Sequence, residues 1–82
     1  MEFDKIEIDK SFKLCNGKIL KNFKDLKKYI VEMPDEVYNF HVNSKGNDFA
    51  FWIKNCLNMN EVASSIAAVR KKETFIKKIL EA

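Results

Sequence analysis

The sequence predicts a small α+β domain, mostly α, in which an N-terminal β-hairpin packs on four or five short helices. Three observations carry that prediction. Asn16-Gly17 stands between two stretches that mix Phe12, Leu14, Ile19 and Leu20 with lysines, the strongest short signal for a hairpin turn. From Phe23 onward, apolar residues recur at intervals of three and four, the period of helices with one buried face. Asparagine, or proline followed by acids, opens most of these stretches, where a helix needs capping.

Residues 1–10 read as a leader, either mobile or adding an edge strand through Phe3, Ile6 and Ile8. Ser11 to Lys21 forms the hairpin, and a type I′ turn would place both Asn16 and Gly17 at positive φ. Two strands alone are marginal in water, so this ribbon must lie on the helices that follow. Asn22 caps a helix from Phe23 to about Met33, with Phe23, Leu26, Ile30 and Met33 inward and Tyr29 at the edge. Pro34 cannot continue that helix, but it suits the start of a short one ending near Val42, with Asp35 and Glu36 in its first turn. Asn43-Ser44-Lys45-Gly46 reads as a loop.

Asn47 then caps a helix from Asp48 to Leu57, in which Phe49, Trp52, Ile53, Cys56 and Leu57 share an arc of about 140°. Asn58 or Asn60 caps the next, with Val62, Ile66 and Val69 inward. Thr74 to Leu80 closes the chain, with Phe75, Ile76, Ile79 and Leu80 inward. Residues 11–82 thus make one compact domain, because 82 residues leave no room for a second core.

A chain 46% hydrophobic and 33% charged, with two Gly and one Pro, is neither collagen-like nor a generic disordered segment. The net charge of +3 is too small to imply nucleic acid by itself. Basic segments at 10–28 and 70–82 flank an acidic middle, a pattern typical of solvated faces and intramolecular pairing. Fourteen of the fifteen cations are Lys, which argues against sequence-specific DNA reading by bidentate Arg. No signal peptide and no membrane-length apolar run is visible, so a cytoplasmic location is expected. Cys15 and Cys56 make no metal pattern with the single His41 and read as reduced packing cysteines, with a disulfide as the alternative.

The segment from His41 to Ile53 groups an imidazole, an amide, a carboxylate and an indole around one loop. A His41–Asp48 pair has the chemistry to move a proton. The simpler reading makes Asn47 a cap, Asp48 a first-turn acid, Phe49, Trp52 and Ile53 core, and His41 a half-buried group bonded to the loop. The run H-V-x4-N-D-F-x-x-W-I, preceded by the Asn-Gly hairpin, resembles domain of unknown function 5752, a small family found mainly in archaea. The similarity spans Phe12 to Leu80, with His41, Asn47, Asp48, Phe49, Trp52 and Ile53 on the pattern. The family begins its next helix on an acid, whereas here Asn58-Met59-Asn60 precedes Glu61. The resemblance implies a compact, mostly helical fold and brings no activity and no catalytic set.

Phe51 lies about 200° from Phe49 on the helical wheel, beside Lys54 and away from the core arc. Phe51, with Tyr38, His41 and Lys54, is therefore the candidate partner-binding set, since aromatics dominate interface hot spots. Lys21, Lys24 and Lys28 recur at helical spacing and form a candidate phosphate-binding set, although no aromatic row interleaves with them. No P-loop, G-x-S-x-G, HExxH or dinucleotide fingerprint is present, so neither a cofactor nor a catalytic set is expected. The sequence therefore favours a non-catalytic protein-interaction or regulatory module that binds a protein or itself. The alternatives are a weak lysine-driven RNA- or ribosome-associated binder and, third, an enzyme using His41 and Asp48.

Overall fold

The computed structural model describes residues 11–82, so the leader reading of residues 1–10 lies outside the described residues. Strands β1 (Phe12–Lys13) and β2 (Ile19–Leu20) pair antiparallel, with Phe12 opposite Leu20 and Lys13 opposite Ile19. Five helices follow: α1 (Phe23–Ile30), α2 (Asp35–His41), α3 (Asp48–Asn55), α4 (Asn60–Ala67) and α5 (Lys72–Glu81). The fold is α+β and mostly α, as the periodicity predicts.

The hairpin turn differs from the expected type. Leu14 donates its N–H to the Lys18 carbonyl at 2.8 Å, and Gly17 donates to the Leu14 carbonyl at 2.9 Å. Three residues, Cys15 to Gly17, therefore span the strands, and only Gly17 carries a left-handed φ of 92°. Asn16 is used through its side chain instead. Its Oδ1 accepts the Lys18 N–H at 3.1 Å, and its Nδ2 donates to the Tyr29 hydroxyl at 2.9 Å, which ties the turn to α1.

Asn22 caps α1 by accepting the Asp25 N–H at 2.8 Å, and the Asp25 carboxylate accepts the Lys21 N–H at 3.0 Å. The helix stops at Ile30, three residues short of expectation. Pro34 disfavours helical geometry at Met33, so the chain turns early and Met33 reaches the core from outside the helix. Pro34 itself caps α2, accepting the Tyr38 N–H on its carbonyl at 3.1 Å.

The segment expected as a loop is a second hairpin. Strands β3 (Val42–Asn43) and β4 (Gly46–Asn47) pair antiparallel around Ser44-Lys45. Two-residue strands are too short to show a period of two, so sequence patterning could not reveal them. Asn43 holds this hairpin to α2 by donating its amide to the Asn39 and Phe40 carbonyls.

Asn47 caps α3, accepting the Ala50 N–H at 3.0 Å, and donates its side-chain amide to the Ile66 carbonyl at 3.0 Å, which fastens α3 to α4. Neither Asn58 nor Asn60 caps α4: Met59 takes that position with no side-chain bond. Asn58 instead adopts a left-handed φ of 57° and ends α3, letting the Met59 N–H reach back to the Ile53 carbonyl at 3.1 Å. The closing helix begins at Lys72 rather than Thr74, and Leu80 is exposed rather than inward.

The core gathers Leu14, Leu20, Leu26, Ile30, Tyr38, Phe49, Trp52, Ile53, Ile66, Phe75 and Ile79. Phe49 sits at its aromatic centre, with ring centroids 5.2 Å from Phe12 and 5.3 Å from Phe75. Cys15 and Cys56 form no disulfide among the described residues; Cys56 packs against the core and Cys15 is exposed in the hairpin turn, so Cys15 is no packing residue.

Candidate functional site

The structure brings His41 and Asp48 together, burying the imidazole while the carboxylate stays exposed. His41 ends α2 and Asp48 begins α3, so the short β3–β4 hairpin sets their separation. His41 Nδ1 lies 3.0 Å from Asp48 Oδ2. Its Nε2 lies 3.1 Å from the Cys15 backbone nitrogen, which can only donate. Nε2 is therefore the acceptor, Nδ1 carries the proton, and Asp48 receives it. The ring is 5% exposed, with Phe12, Phe40 and Phe49 edge-on at 5.0, 5.0 and 5.6 Å.

A general acid–base histidine keeps one nitrogen within reach of its substrate. Both nitrogens of His41 are already engaged, and Trp52 is buried as well. The imidazole thus pins the β1–β2 turn to the helical layer. It is more deeply buried than the half-buried position expected from the wheel, because Phe12 from the hairpin covers it.

Tyr38 leaves the partner-binding set. It is 2% exposed, packs on Phe75 with centroids 5.2 Å apart, and its hydroxyl donates to the Arg70 carbonyl at 2.9 Å. Its aromatic ring made it a candidate anchor, but Phe75 of α5 covers it. His41, equally buried, presents nothing to a partner. Burial pushes the Tyr38 phenol above its ordinary pKa of 10.0, and the Arg70 guanidinium offsets part of that rise. The folded chain therefore holds this proton more tightly than the unfolded chain. Its stabilising contribution is whole below pH 10.0 and is lost as pH climbs through the folded-state value. Tyr38→Phe is expected to cost about 1 kcal/mol at neutral pH through the lost hydrogen bond. It should also fall less steeply in urea midpoint than the parent above pH 10.0. Parallel slopes for the two proteins would refute the assignment.

Phe51 and Lys54 remain in the set. Phe51 is 69% exposed on the outer side of α3. It forms one wall of an open groove of about 400 Å³ between α3 and α4, with Lys54 and Asn55 beside it. Ala50, Ala63, Ser64 and Ala67 also line it, so the groove is floored by very short side chains. Sequence reasoning missed this floor, although Ala63 and Ala67 stand one helical turn apart. It also missed Phe40, 62% exposed at the end of α2.

Lys21, just before α1, and Lys24 and Lys28 on it are all exposed. Acids interrupt them: Lys28 shares a shallow depression with Asp25 and Glu32 as well as Lys18. Lys27 is occupied, its ammonium donating to the Ala82 carbonyl at 2.7 Å and lying 5.5 Å from the Phe23 ring. Among the described residues, no group of three or more His, Cys, Asp or Glu is placed to hold a metal ion. Also among them, no helix is long and apolar enough to cross a membrane. Comparison of the chain with known protein families, with curated proteins and with solved structures finds no match.

Proposed function

We propose that this chain is a non-catalytic protein-interaction module whose binding face is the α3–α4 groove around Phe51. One observation supports it above the rest: a 69% exposed phenylalanine beside a floor of alanines and serine, with a cation at the rim. An aromatic anchor next to a shallow apolar hollow is the usual composition of an interface hot spot. The buried, doubly bonded His41 speaks against acid–base work, because a substrate would have to break a bond that holds the hairpin in place. Kinship with domain of unknown function 5752 and a cytoplasmic location belong to the same proposal, and neither adds an activity.

The weaker reading, RNA or ribosome association, draws on the exposed Lys21, Lys24 and Lys28. The interspersed Asp25 and Glu32 reduce the field that those lysines would offer a phosphate backbone. Capture from native lysate by the parent protein and by Phe51→Glu, each with and without nuclease, separates the two. The protein-binding reading expects partners that survive nuclease and disappear with Phe51→Glu. Partners that vanish with nuclease and ignore Phe51→Glu would replace it with the lysine reading.

A further inference from the structure

The outward residues of α3 carry a pattern that says what could cover them. Asp48, Phe51 and Lys54 are exposed, each three positions from the next. On the wheel, Asp48 and Lys54 lie about 60° to either side of Phe51, one about 4.5 Å before it along the axis and the other about 4.5 Å after. The acid and the base are thus placed symmetrically about the aromatic. Asp48 is not free to swing away, because its Oδ2 is held by His41 Nδ1 at 3.0 Å, yet its side chain is 58% exposed.

From this arrangement we infer that the occupant of the Phe51 face is a second copy of this chain, paired antiparallel through α3 about a two-fold axis at Phe51. That axis sets Lys54 of each copy opposite Asp48 of the other, so both charge pairs form at once. A parallel pairing would instead set like against like. The same axis brings the two Phe51 rings together at the walls of both grooves, where Ala50, Ala63, Ser64 and Ala67 let the helices approach closely. Residue 51 is at once the knob and the wall of the hole, as a self-complementary contact requires. The patch is small, so the dimer is weak and forms at high concentration.

This inference rests on the proposed binding face but commits it to one partner. Its test is sedimentation of the full chain across a concentration series up to about 1 mM. A 1:1 mixture of carbon-13-labelled and unlabelled protein completes it, read for intermolecular NOEs. The expected result is a monomer–dimer equilibrium with NOEs from the Phe51 ring of one copy to the Ala63 and Ala67 methyls of the other. Phe51→Glu should raise the dissociation constant about thirtyfold or more. Lys54→Glu should raise it about tenfold by facing the other copy's Asp48. Asp48→Asn, which keeps an acceptor for His41, should recover most of that loss when added to Lys54→Glu. Because residues 48 and 54 of one copy are about 9 Å apart along the helix, such coupling reports a contact between copies. Circular dichroism and thermal midpoints confirm that each variant is folded.

A chain that stays monomeric, a dimer indifferent to Phe51→Glu, or additive effects at 48 and 54 would each overturn the inference. A monomer whose capture of another protein still depends on Phe51 overturns the dimer and leaves the binding face standing. A monomer with no Phe51-dependent capture overturns both.

Discussion

Phe49→Ala is expected to destabilise the protein by about 3–5 kcal/mol, whereas Phe51→Ala, two residues along the same helix, should change stability by less than about 0.5 kcal/mol. Phe49 is fully buried and meets Phe12, His41 and Phe75 with centroids 5.2 to 5.6 Å apart. Removing its ring opens a cavity among groups drawn from the hairpin and two other helices, and those groups cannot all collapse inward. A domain of this length has only about 4–12 kcal/mol in total, so the variant should lose a large share of its stability. Phe51 makes no comparable contacts, and truncating it returns an exposed ring to solvent it already meets. Urea denaturation of the two variants checks the contrast. Equal midpoints would mean that the outward face of α3 is covered within the monomer.

The second large effect falls on the histidine. His41→Ala is expected to cost about 3–4 kcal/mol, from lost packing against three phenylalanines and two lost hydrogen bonds. Two replacements divide that cost. In His41→Asn the amide nitrogen sits near the place of Nδ1 and donates to Asp48, while the Cys15 N–H loses its acceptor. In His41→Gln the amide oxygen sits near the place of Nε2 and accepts from Cys15, while Asp48 loses its donor. Each should recover about 1 kcal/mol relative to His41→Ala. Hydrogen exchange at the Cys15 amide should be fast in His41→Ala and His41→Asn, and slowed in His41→Gln. Slow exchange in all three would show that the turn is held by something other than the imidazole.

The proposed reading of the His41–Asp48 pair turns on these expected effects. A histidine beside a carboxylate resembles part of a catalytic set when only the residue types are known. What distinguishes a proton shuttle from a pin is the partner of the second nitrogen. Here that partner is a backbone amide twenty-six residues earlier in the chain, a contact with no local sequence signal. The same holds for Tyr38, an aromatic whose covering by α5 has no local sequence signal.

Local chemistry was legible wherever one residue type met one local need. Asn22 and Asn47 cap helices because their short side chains reach an unpaired amide three residues on. Gly17 supplies the positive φ of the turn, while its neighbour Asn16 was misjudged because asparagine can also serve through its side chain. Asn58 was misread for a related reason. An asparagine between two helices suits the end of the first as well as the start of the second, and only backbone geometry chooses between them.

By itself, then, the sequence determined the helical periods, the main caps, the inward place of Phe49, Trp52 and Ile53, and the outward place of Phe51. Each follows from rotation per residue and short-range hydrogen bonding, which act along a few consecutive positions. Only the tertiary structure decided that both nitrogens of His41 are occupied, that Tyr38 is sealed, and that an alanine-floored groove runs beside Phe51. Those features are made by residues far apart in the chain, and no repeat along it encodes which helix will lie on which.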